Sequence, residues 1–189
     1  MKKVHLCTDL KKTALNPAFQ YIQIRDGFAY ATNGLIAVKI PQAEIFGSDL
    51  FNPEDTYYLT GETWKQQKAS DADTFYLIDS GNGHKQLKAI GKKFTGYIDL
   101  LNQEEYNQQA RGYKYPDIDT VTPTDESTTA LDSFSLSFSL YHDLMSVLET
   151  GETIYKAIFG GRNGQTCKLI DGQGYSQAIG LIMQRVTNR

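Results

Sequence analysis

The chain has 189 residues, 40% of them hydrophobic, which is the composition of a folded protein rather than a disordered one. Its formal net charge of −3 excludes a basic field over the whole surface and argues against a protein that coats nucleic acid, although local basic stripes remain compatible with it. No apolar run approaches the roughly 20 residues of a membrane-spanning helix, and the first residues lack the apolar core of a signal peptide, so we expect a cytoplasmic protein with no membrane partner.

The first predicted elements form a three-stranded antiparallel meander over residues 21–40. Asp26-Gly27 separates two apolar segments and Asn33-Gly34 precedes a third, and both pairs are two-residue turn signals. They suit tight turns because glycine, and to a lesser degree Asn and Asp, adopts positive φ without steric strain. Residues 42–55, after the meander, have the composition of a loop.

A second set of elements is predicted over residues 56–100. Its first strand is followed by a short helix, which Thr60 or Thr63 caps and which contains Trp64. A hairpin with glycines at its turn and one further strand complete the set. We expect Trp64 to be buried where the helix meets the sheet.

The segment that follows is predicted to be a linker and then a strand. Residues 102–126 are polar and include Pro116 and Pro123, which disfavour regular structure. Over residues 134–140 the hydrophobic side chains alternate with serines. This period of two predicts a half-buried strand with its serines outward.

A short helix and three strands are predicted to follow. Leu140, Leu144, Val147 and Leu148 have helical spacing, so we expect the helix to lean on a sheet with Leu144 buried. The strands are predicted over residues 153–159, 166–170 and 177–186.

The order of these elements forms a weak internal repeat. A strand, a short helix and further antiparallel strands occur over residues 56–100 and recur over residues 133–186, offset by about 80 residues. A shorter version begins at Lys3, where at most a turn or two of helix fits. We therefore predict an α+β fold, predominantly antiparallel β, built of repeated βαβββ units with short helices. Residues 1–121 are predicted to form a domain of two half-units, and residues 122–189 a third half-unit.

Three short segments carry a resemblance to a known family. Residues 27–34 read Gly-Phe-Ala-Tyr-Ala-Thr-Asn-Gly, residues 113–117 read Tyr-Lys-Tyr-Pro-Asp, and residues 178–186 read Ala-Ile-Gly-Leu-Ile-Met-Gln-Arg-Val. They resemble three parts of bacterial DNA sliding clamps, the processivity factors of replicative polymerases. These parts are the strand and turn after the first helix, the aromatic-Pro-acidic segment that closes a domain, and the final strand. Asn33 stands where Asp is common in the family, and Gln184 stands where the family has a proline.

The resemblance implies a fold and a function. In that family each domain pairs two such units, with the helices lining a hole and the sheets outside. A chain of the bacterial clamp has six units and a chain of the trimeric clamp has four, whereas this chain has three. It implies a clamp-like protein without catalysis of its own. Such a protein binds duplex DNA independently of sequence and tethers a DNA polymerase or another replication protein to it. The reduced size indicates a phage or a mobile element as the source.

The resemblance also assigns DNA-binding residues. In clamps the helices face the DNA and contact phosphates without reading bases. The corresponding candidates here are two lysines at the first helix position and two at the second, namely Lys11, Lys12, Lys65 and Lys68. A solvated helix face is the alternative explanation for these lysines. The third helix does not fit the pattern, because His142, Asp143 and Glu149 make it neutral to acidic.

A partner site is implied by the family resemblance alone. A peptide of a polymerase or another replication protein is expected to dock near the last strand, at Leu181, Met183 and Arg185.

No catalytic, cofactor or metal site is predicted. The glycine-rich segment 160–165 lacks the Lys-Ser/Thr of a phosphate-binding loop, and its composition is that of a hairpin turn. His5, His84 and His142 have no His or Cys within three to five residues, the spacing of many metal sites. Cys7 and Cys167 are expected to be separate thiols in strands.

Two other functions remain open at this point, and so do two assemblies. The chain is alternatively a clamp-derived protein-interaction module that does not bind DNA, or a β-rich small-molecule-binding protein or enzyme with a site of scattered residues. An odd number of units leaves one set of strand edges without a mate. We expect that edge to pair with another chain in a closed symmetric homo-oligomer. The alternative is that the third unit folds against the truncated first unit and the protein stays monomeric.

Overall fold

The computed structural model describes residues 2–10, 16–81, 83–124, 137–148, 155–160, 166–174 and 176–183. Within these ranges the strands are Tyr21–Arg25 (β1), Phe28–Thr32 (β2), Ile36–Pro41 (β3), Tyr57–Thr60 (β4), Thr74–Gly81 (β5), His84–Gly91 (β6), Phe94–Leu100 (β7), Tyr155–Gly160 (β8), Thr166–Asp171 (β9) and Ile179–Met183 (β10). The α-helices are Gln42–Phe46 (α1), Gly61–Gln66 (α2), Gln103–Gln109 (α3), Ile118–Val121 (α4) and Phe138–Leu148 (α5). The 3₁₀ helices are Val4–Cys7 (η1), Pro17–Gln20 (η2) and Ala69–Asp71 (η3).

The described strands form two antiparallel sheets. A seven-stranded sheet has the order β4-β1-β2-β3-β10-β9-β8, and a three-stranded sheet has the order β5-β6-β7. A single bridge connects the two sheets, since Tyr58 and Leu101 exchange backbone hydrogen bonds of 2.9 and 2.8 Å. The predicted α+β fold with mainly antiparallel strands and short helices is therefore confirmed.

The first meander forms as predicted from its turn residues. Asp26 and Gly27 have φ angles of 51° and 80°, the left-handed values of a type I′ hairpin turn, and Arg25 pairs with Phe28 across it. The right-handed twist of the flanking strands favours this turn type. The residue types of the Asp26-Gly27 turn are therefore sufficient to set the register of β1 and β2.

One face of the seven-stranded sheet packs against the short helices. The 3₁₀ helix η1 lies between α2 and α5 and contacts both. Trp64 of α2 is 1% exposed and its ring stacks on Phe75 with centroids 5.7 Å apart, while Leu144 of α5 is fully buried. The predicted burial of Trp64 and Leu144 is confirmed, and this helical layer carries the candidate lysines Lys65 and Lys68.

The opposite face of the sheet is covered by the segment predicted to be a linker. Its two helices, α3 and α4, lie across β1, β2, β4 and β10, so the prediction of an unstructured linker is wrong for residues 102–122. The Tyr115 hydroxyl group donates hydrogen bonds to the carbonyl oxygens of Tyr21 and Tyr30, at 3.2 and 2.8 Å. Aromatic rings that fit this face therefore hold the segment, although its composition is polar.

Two further predictions about local structure are corrected. Residues 138–140 begin helix α5 instead of ending a strand, and Phe138 is 81% exposed; residues 134–136 lie outside the described residues. The helix forms because its spacing buries Leu144, Val147 and Leu148 together in the core. The predicted loop 42–55 begins with helix α1, which ends at Gly47 in the left-handed conformation.

The third unit pairs with the first unit within the chain, so the expectation that its free edge pairs with another chain is wrong for this edge. Strand β10 runs antiparallel to β3, with Ile179 opposite Lys39 and Ile182 opposite Ile36. Gly180 of β10 lets α5 approach closely, since a Cβ atom there would lie 2.6 Å from Leu148 Cδ1. In the described part of the chain β5 and β8 each have one unpaired side, while the other two sheet edges, β4 and β7, are joined through the bridge between Tyr58 and Leu101. The division of the chain at residue 121 stays a prediction.

Candidate nucleic-acid interface

Two of the candidate lysines lie on or just after helix α2 and are exposed to solvent: Lys65 is in the helix, and Lys68 is the residue before η3. The Thr63 backbone N–H donates to Thr60 Oγ1 at 3.1 Å, so Thr60 is the N-cap that the sequence suggested. Trp64 anchors the buried side of the helix and donates from Nε1 to the carbonyl oxygen of Lys2 at 2.8 Å. Lys65 and Lys68 consequently lie on the exposed side of this layer.

Lysines from a neighbouring hairpin extend this basic surface. Lys92 and Lys93 are the exposed residues of the turn between β6 and β7. Together with Lys68, Asp71, Asp73 and Phe94 they line an open cleft of about 520 Å³. The sequence analysis missed these two lysines, although two adjacent lysines at a hairpin turn are themselves a signal of an exposed basic tip.

The basic surface is moderate because carboxylates are interspersed. Glu62 lies on α2, and Asp71 and Asp73 share the cleft with Lys68. Burial, and then the charges of Lys65 and Lys3, lowers the pKa of His5, whose Nδ1 lies 3.2 Å from the Ser70 hydroxyl oxygen. His5 is therefore neutral at pH 7 and adds no positive charge to this surface.

Helix α5, which is the third helix predicted from the sequence repeat, contributes no Lys or Arg side chain to this layer. Within Phe138–Leu148 there is no Lys or Arg, and the His142 Nδ1 lies 3.9 Å from a carboxylate oxygen of Asp143. The described part of α5 therefore has the neutral to acidic character expected from its sequence. In the described part of the chain the positive charge of this layer therefore comes from the lysines near α2 and at the β6–β7 turn.

The remaining lysine candidates lie outside the described residues. These are Lys11 and Lys12, whose DNA-binding role stays a prediction. The residue before them, Leu10, lines a second open cleft of about 390 Å³ with Glu62, Lys65 and Gln66 of α2.

The predicted partner-binding residues differ in accessibility. Leu181 is fully buried on the face that α4 covers, in a cluster with Ile118 and Tyr30, so a partner would reach it only if α4 moved. Met183 is partly exposed at the end of β10, and its N–H donates to the Leu35 carbonyl oxygen at 2.8 Å. Arg185 lies outside the described residues. The partner-binding role of these three residues stays a prediction.

An ionic cluster holds α4 over the sheet. The carboxylate of Asp119 accepts hydrogen bonds from Lys39 Nζ at 2.7 Å, Arg25 Nη2 at 3.1 Å and the Tyr30 hydroxyl group at 3.2 Å. Burial by itself raises the pKa of Asp119, but the hydrogen bond and charge of Lys39, with Tyr30 and Arg25, hold it below its usual value. Asp119 is thus ionised at neutral pH and fixes α4 in place.

The described residues show no arrangement typical of a metal or thiol site. No group of three or more His, Cys, Asp or Glu side chains among them is placed to hold a metal ion. Cys7 and Cys167 are buried free thiols; Cys167 lies in β9 as expected, whereas Cys7 lies in η1 and not in a strand. Burial raises the pKa of Cys167 to about 11 and that of Cys7 further. No helix in the described ranges is long and apolar enough to cross a membrane.

Comparison with known proteins identifies the fold. Neither a protein-family model nor a curated protein sequence matches this chain. The DNA polymerase sliding clamp of Bacillus subtilis superposes with a TM-score of 0.61 at 12% sequence identity, over 98% of this chain and 61% of the clamp chain. The beta subunit of DNA polymerase from Streptococcus pyogenes is also similar, with a TM-score of 0.48 and 14% identity over 96% of this chain and 62% of that one.

The chain therefore has the fold of a DNA sliding clamp. The resemblance inferred from three sequence segments is confirmed at the level of the fold by the superposition on the Bacillus subtilis clamp. The chain spans about three fifths of the length of that clamp, since 61% of the clamp chain is covered.

Proposed function

We propose that this protein is a reduced sliding-clamp-like protein that holds duplex DNA without reading its sequence. It has no catalysis of its own and tethers a DNA polymerase or another replication enzyme to its template. The observation that carries the proposal is the superposition on a DNA polymerase sliding clamp over 98% of the chain. A partner peptide docks at the end of the last strand, near Met183 and Arg185, and would contact Leu181 only with α4 displaced.

The character of the helical layer supports sequence-independent binding. Lys65 on α2, Lys68 just after it, and Lys92 and Lys93 at the adjoining turn are flexible cations suited to contacting phosphates, which carry no sequence information. Nearby carboxylates keep the attraction weak. A weak, salt-sensitive attraction lets a protein move along DNA, and retention of a bound enzyme raises its effective concentration at the template.

The two outer strands support a closed assembly of several chains. Strands β5 and β8 each leave one side unpaired in the described part of the chain, and such edges are templates for pairing with another chain. Because the two edges differ, β5 of one chain pairs with β8 of the next in a head-to-tail contact, which forms a ring if the rotation closes. Four chains would supply as many units as a bacterial clamp ring.

Equilibrium binding to duplex DNA tests the proposal. Two labelled duplexes of about 30 base pairs with unrelated sequences are titrated by fluorescence anisotropy at about 50 mM salt. We expect both to bind with similar affinity and the affinity to fall steeply with salt. Mass measurement in solution, with and without primed DNA, reports whether the assembly forms on the template. Absence of binding to either duplex by the folded protein would contradict the proposal.

The neutral third helix favours one alternative, a clamp-derived module that binds proteins but not DNA. Helix α5 has no Lys or Arg, and Glu62, Asp71 and Asp73 reduce the positive charge near α2. The same titration separates the two functions, because this module would leave the anisotropy of both duplexes unchanged at low salt.

A further inference from the structure

The three-stranded sheet has an open face with two exposed aromatic rings. Tyr76 on β5 and Tyr97 on β7 are 50% and 48% exposed, the largest values for tyrosines among the described residues. Both pair with Lys88 on β6, which places the three side chains in one row across the sheet. Neighbouring strands lie about 4.8 Å apart, so the two tyrosines are separated by about 10 Å with the lysine between them.

The row is built on a rigid support. On the opposite face of the same strands Phe75, Leu87 and Ile98 are 5%, 0% and 0% exposed and belong to the main core. The sheet therefore holds the two rings at a fixed spacing. Exposed tyrosines on a rigid sheet lose little conformational entropy when a flat ligand stacks on them.

Lys88 is the lysine that the strand register places on the open face with the two tyrosines. Lys85 and Asp79 lie on the opposite face of the sheet and form an ion pair with each other at 3.5 Å. Lys88 Nζ lies 5.8 Å from the centre of the Tyr97 ring. The nearest carboxylate on this face, Asp99, is engaged by the Gln86 amide group at 2.6 Å. Lys88 is thus free of an ion pair among the described residues and available to an anionic ligand.

We propose that this face binds single-stranded nucleic acid. The bases stack on the rings of Tyr76 and Tyr97, and Lys88 contacts the phosphate between them. Aromatic rings interleaved with a cation on an antiparallel sheet match the two parts of a nucleotide, because every base has a π face and every linkage has a negative charge. The site is separate from the lysines of the helical layer and goes beyond the proposed retention of duplex DNA.

Ring-preserving and ring-removing variants test the stacking. A labelled oligothymidylate of about 20 nucleotides is titrated by fluorescence anisotropy with the wild-type chain, Tyr76→Leu/Tyr97→Leu and Tyr76→Phe/Tyr97→Phe. With stacking worth at least about 1 kcal/mol for each base, we expect the leucine variant to bind about 30-fold more weakly. The phenylalanine variant keeps the rings and should bind about as tightly as the wild type.

Tyr113→Leu is the matched control. Tyr113 is 47% exposed and adjoins Lys114, but it lies on the segment that covers the seven-stranded sheet. Its replacement should leave oligothymidylate binding unchanged. Lys65→Gln/Lys68→Gln should weaken duplex binding without a comparable loss for the single strand, so failure of either proposal is distinguishable from failure of the other.

Two outcomes would overturn the proposal. The first is absence of oligothymidylate binding by the wild type, and the second is equal binding by the leucine variant. If the sedimentation of that variant also changes, the second outcome would identify the face as a contact between copies of the chain.

Discussion

Replacing the exposed lysines of the helical layer by glutamine should change how duplex binding depends on salt. Each phosphate that a lysine neutralises adds about −0.9 to the slope of log affinity against log salt concentration. Removal of Lys65 and Lys68 should therefore make the slope less negative by about 1.8, and additional removal of Lys92 and Lys93 by about 3.6 in all. These differences do not depend on how many other lysines contact the DNA.

The expected effect is large enough to measure by titration. If the four lysines were the only contacts, raising salt from about 50 to about 200 mM would weaken wild-type binding about 150-fold, against about 12-fold for Lys65→Gln/Lys68→Gln. Anisotropy titrations of one labelled duplex at four or more salt concentrations give both slopes. Because these side chains are exposed, each replacement should change the free energy of unfolding by no more than about 0.5 kcal/mol.

A control on the opposite face decides what a change of slope means. Arg111 and Lys114 are exposed on the segment that covers the other side of the seven-stranded sheet. Arg111→Gln/Lys114→Gln removes the same charge and should leave the slope unchanged. An unchanged slope in the Lys65 and Lys68 variant, or a reduced slope in this control, would refute the assignment of DNA contacts to the helical layer.

Three further predictions concern packing, pH and assembly. Gly180→Ala should lower the free energy of unfolding by about 1–3 kcal/mol in urea titrations, because the new Cβ would lie 2.6 Å from Leu148 Cδ1. A decrease in the free energy of unfolding below about 0.5 kcal/mol would contradict the close packing of α5 on β10. Asp119→Asn should lower the free energy of unfolding at pH 7 by about 1 kcal/mol, since it weakens the hydrogen bonds from Lys39 and Arg25 at a partly exposed site. The pKa of Asp119 is lowered in the folded state. The difference in free energy of unfolding between the wild type and Asp119→Asn should therefore be complete above the usual pKa of 3.8 and vanish as the pH falls through the folded-state pKa. A difference that persists below the folded-state pKa would exclude the ion pairs as its cause. Sedimentation at micromolar concentration should give a closed oligomer, and a monomer with and without DNA would remove the ring.

Local sequence alone determined the hairpins and the class of the fold. Asp26-Gly27 adopts the positive φ angles that its residue types allow, and the strands on either side follow from that turn. Thr60 and Trp64 likewise specify a capped helix with one buried side, because both signals act within a few residues. The repeated order of such elements predicted βαβββ units, and three short segments carried the resemblance to the clamp family.

Only part of the candidate site could be predicted from the sequence. Lys65 and Lys68 followed from the position of a predicted helix, and the structure has both exposed. Lys92 and Lys93 are 24 or more positions further along the chain and reach the same cleft as Lys68 only because the β6–β7 hairpin turns toward η3. The row of Tyr76, Lys88 and Tyr97 depends in the same way on the register of three strands, which no single segment specifies.

Tertiary structure alone decided three features of this protein. The alternation of serine and hydrophobic residues predicted a strand through Phe138, but a helix begins at this residue because the helical spacing buries Leu144, Val147 and Leu148 in a shared core. The polar segment 102–122 packs on the sheet because Tyr115 and Asp119 find partners more than 70 residues away. The pairing of β10 with β3 joins the third unit to the first within one chain. Short-range patterns specify turns and the periodicity of helices and strands. These three features depend instead on burial and hydrogen bonds between residues that are distant in the sequence, and such contacts form only when the whole chain folds.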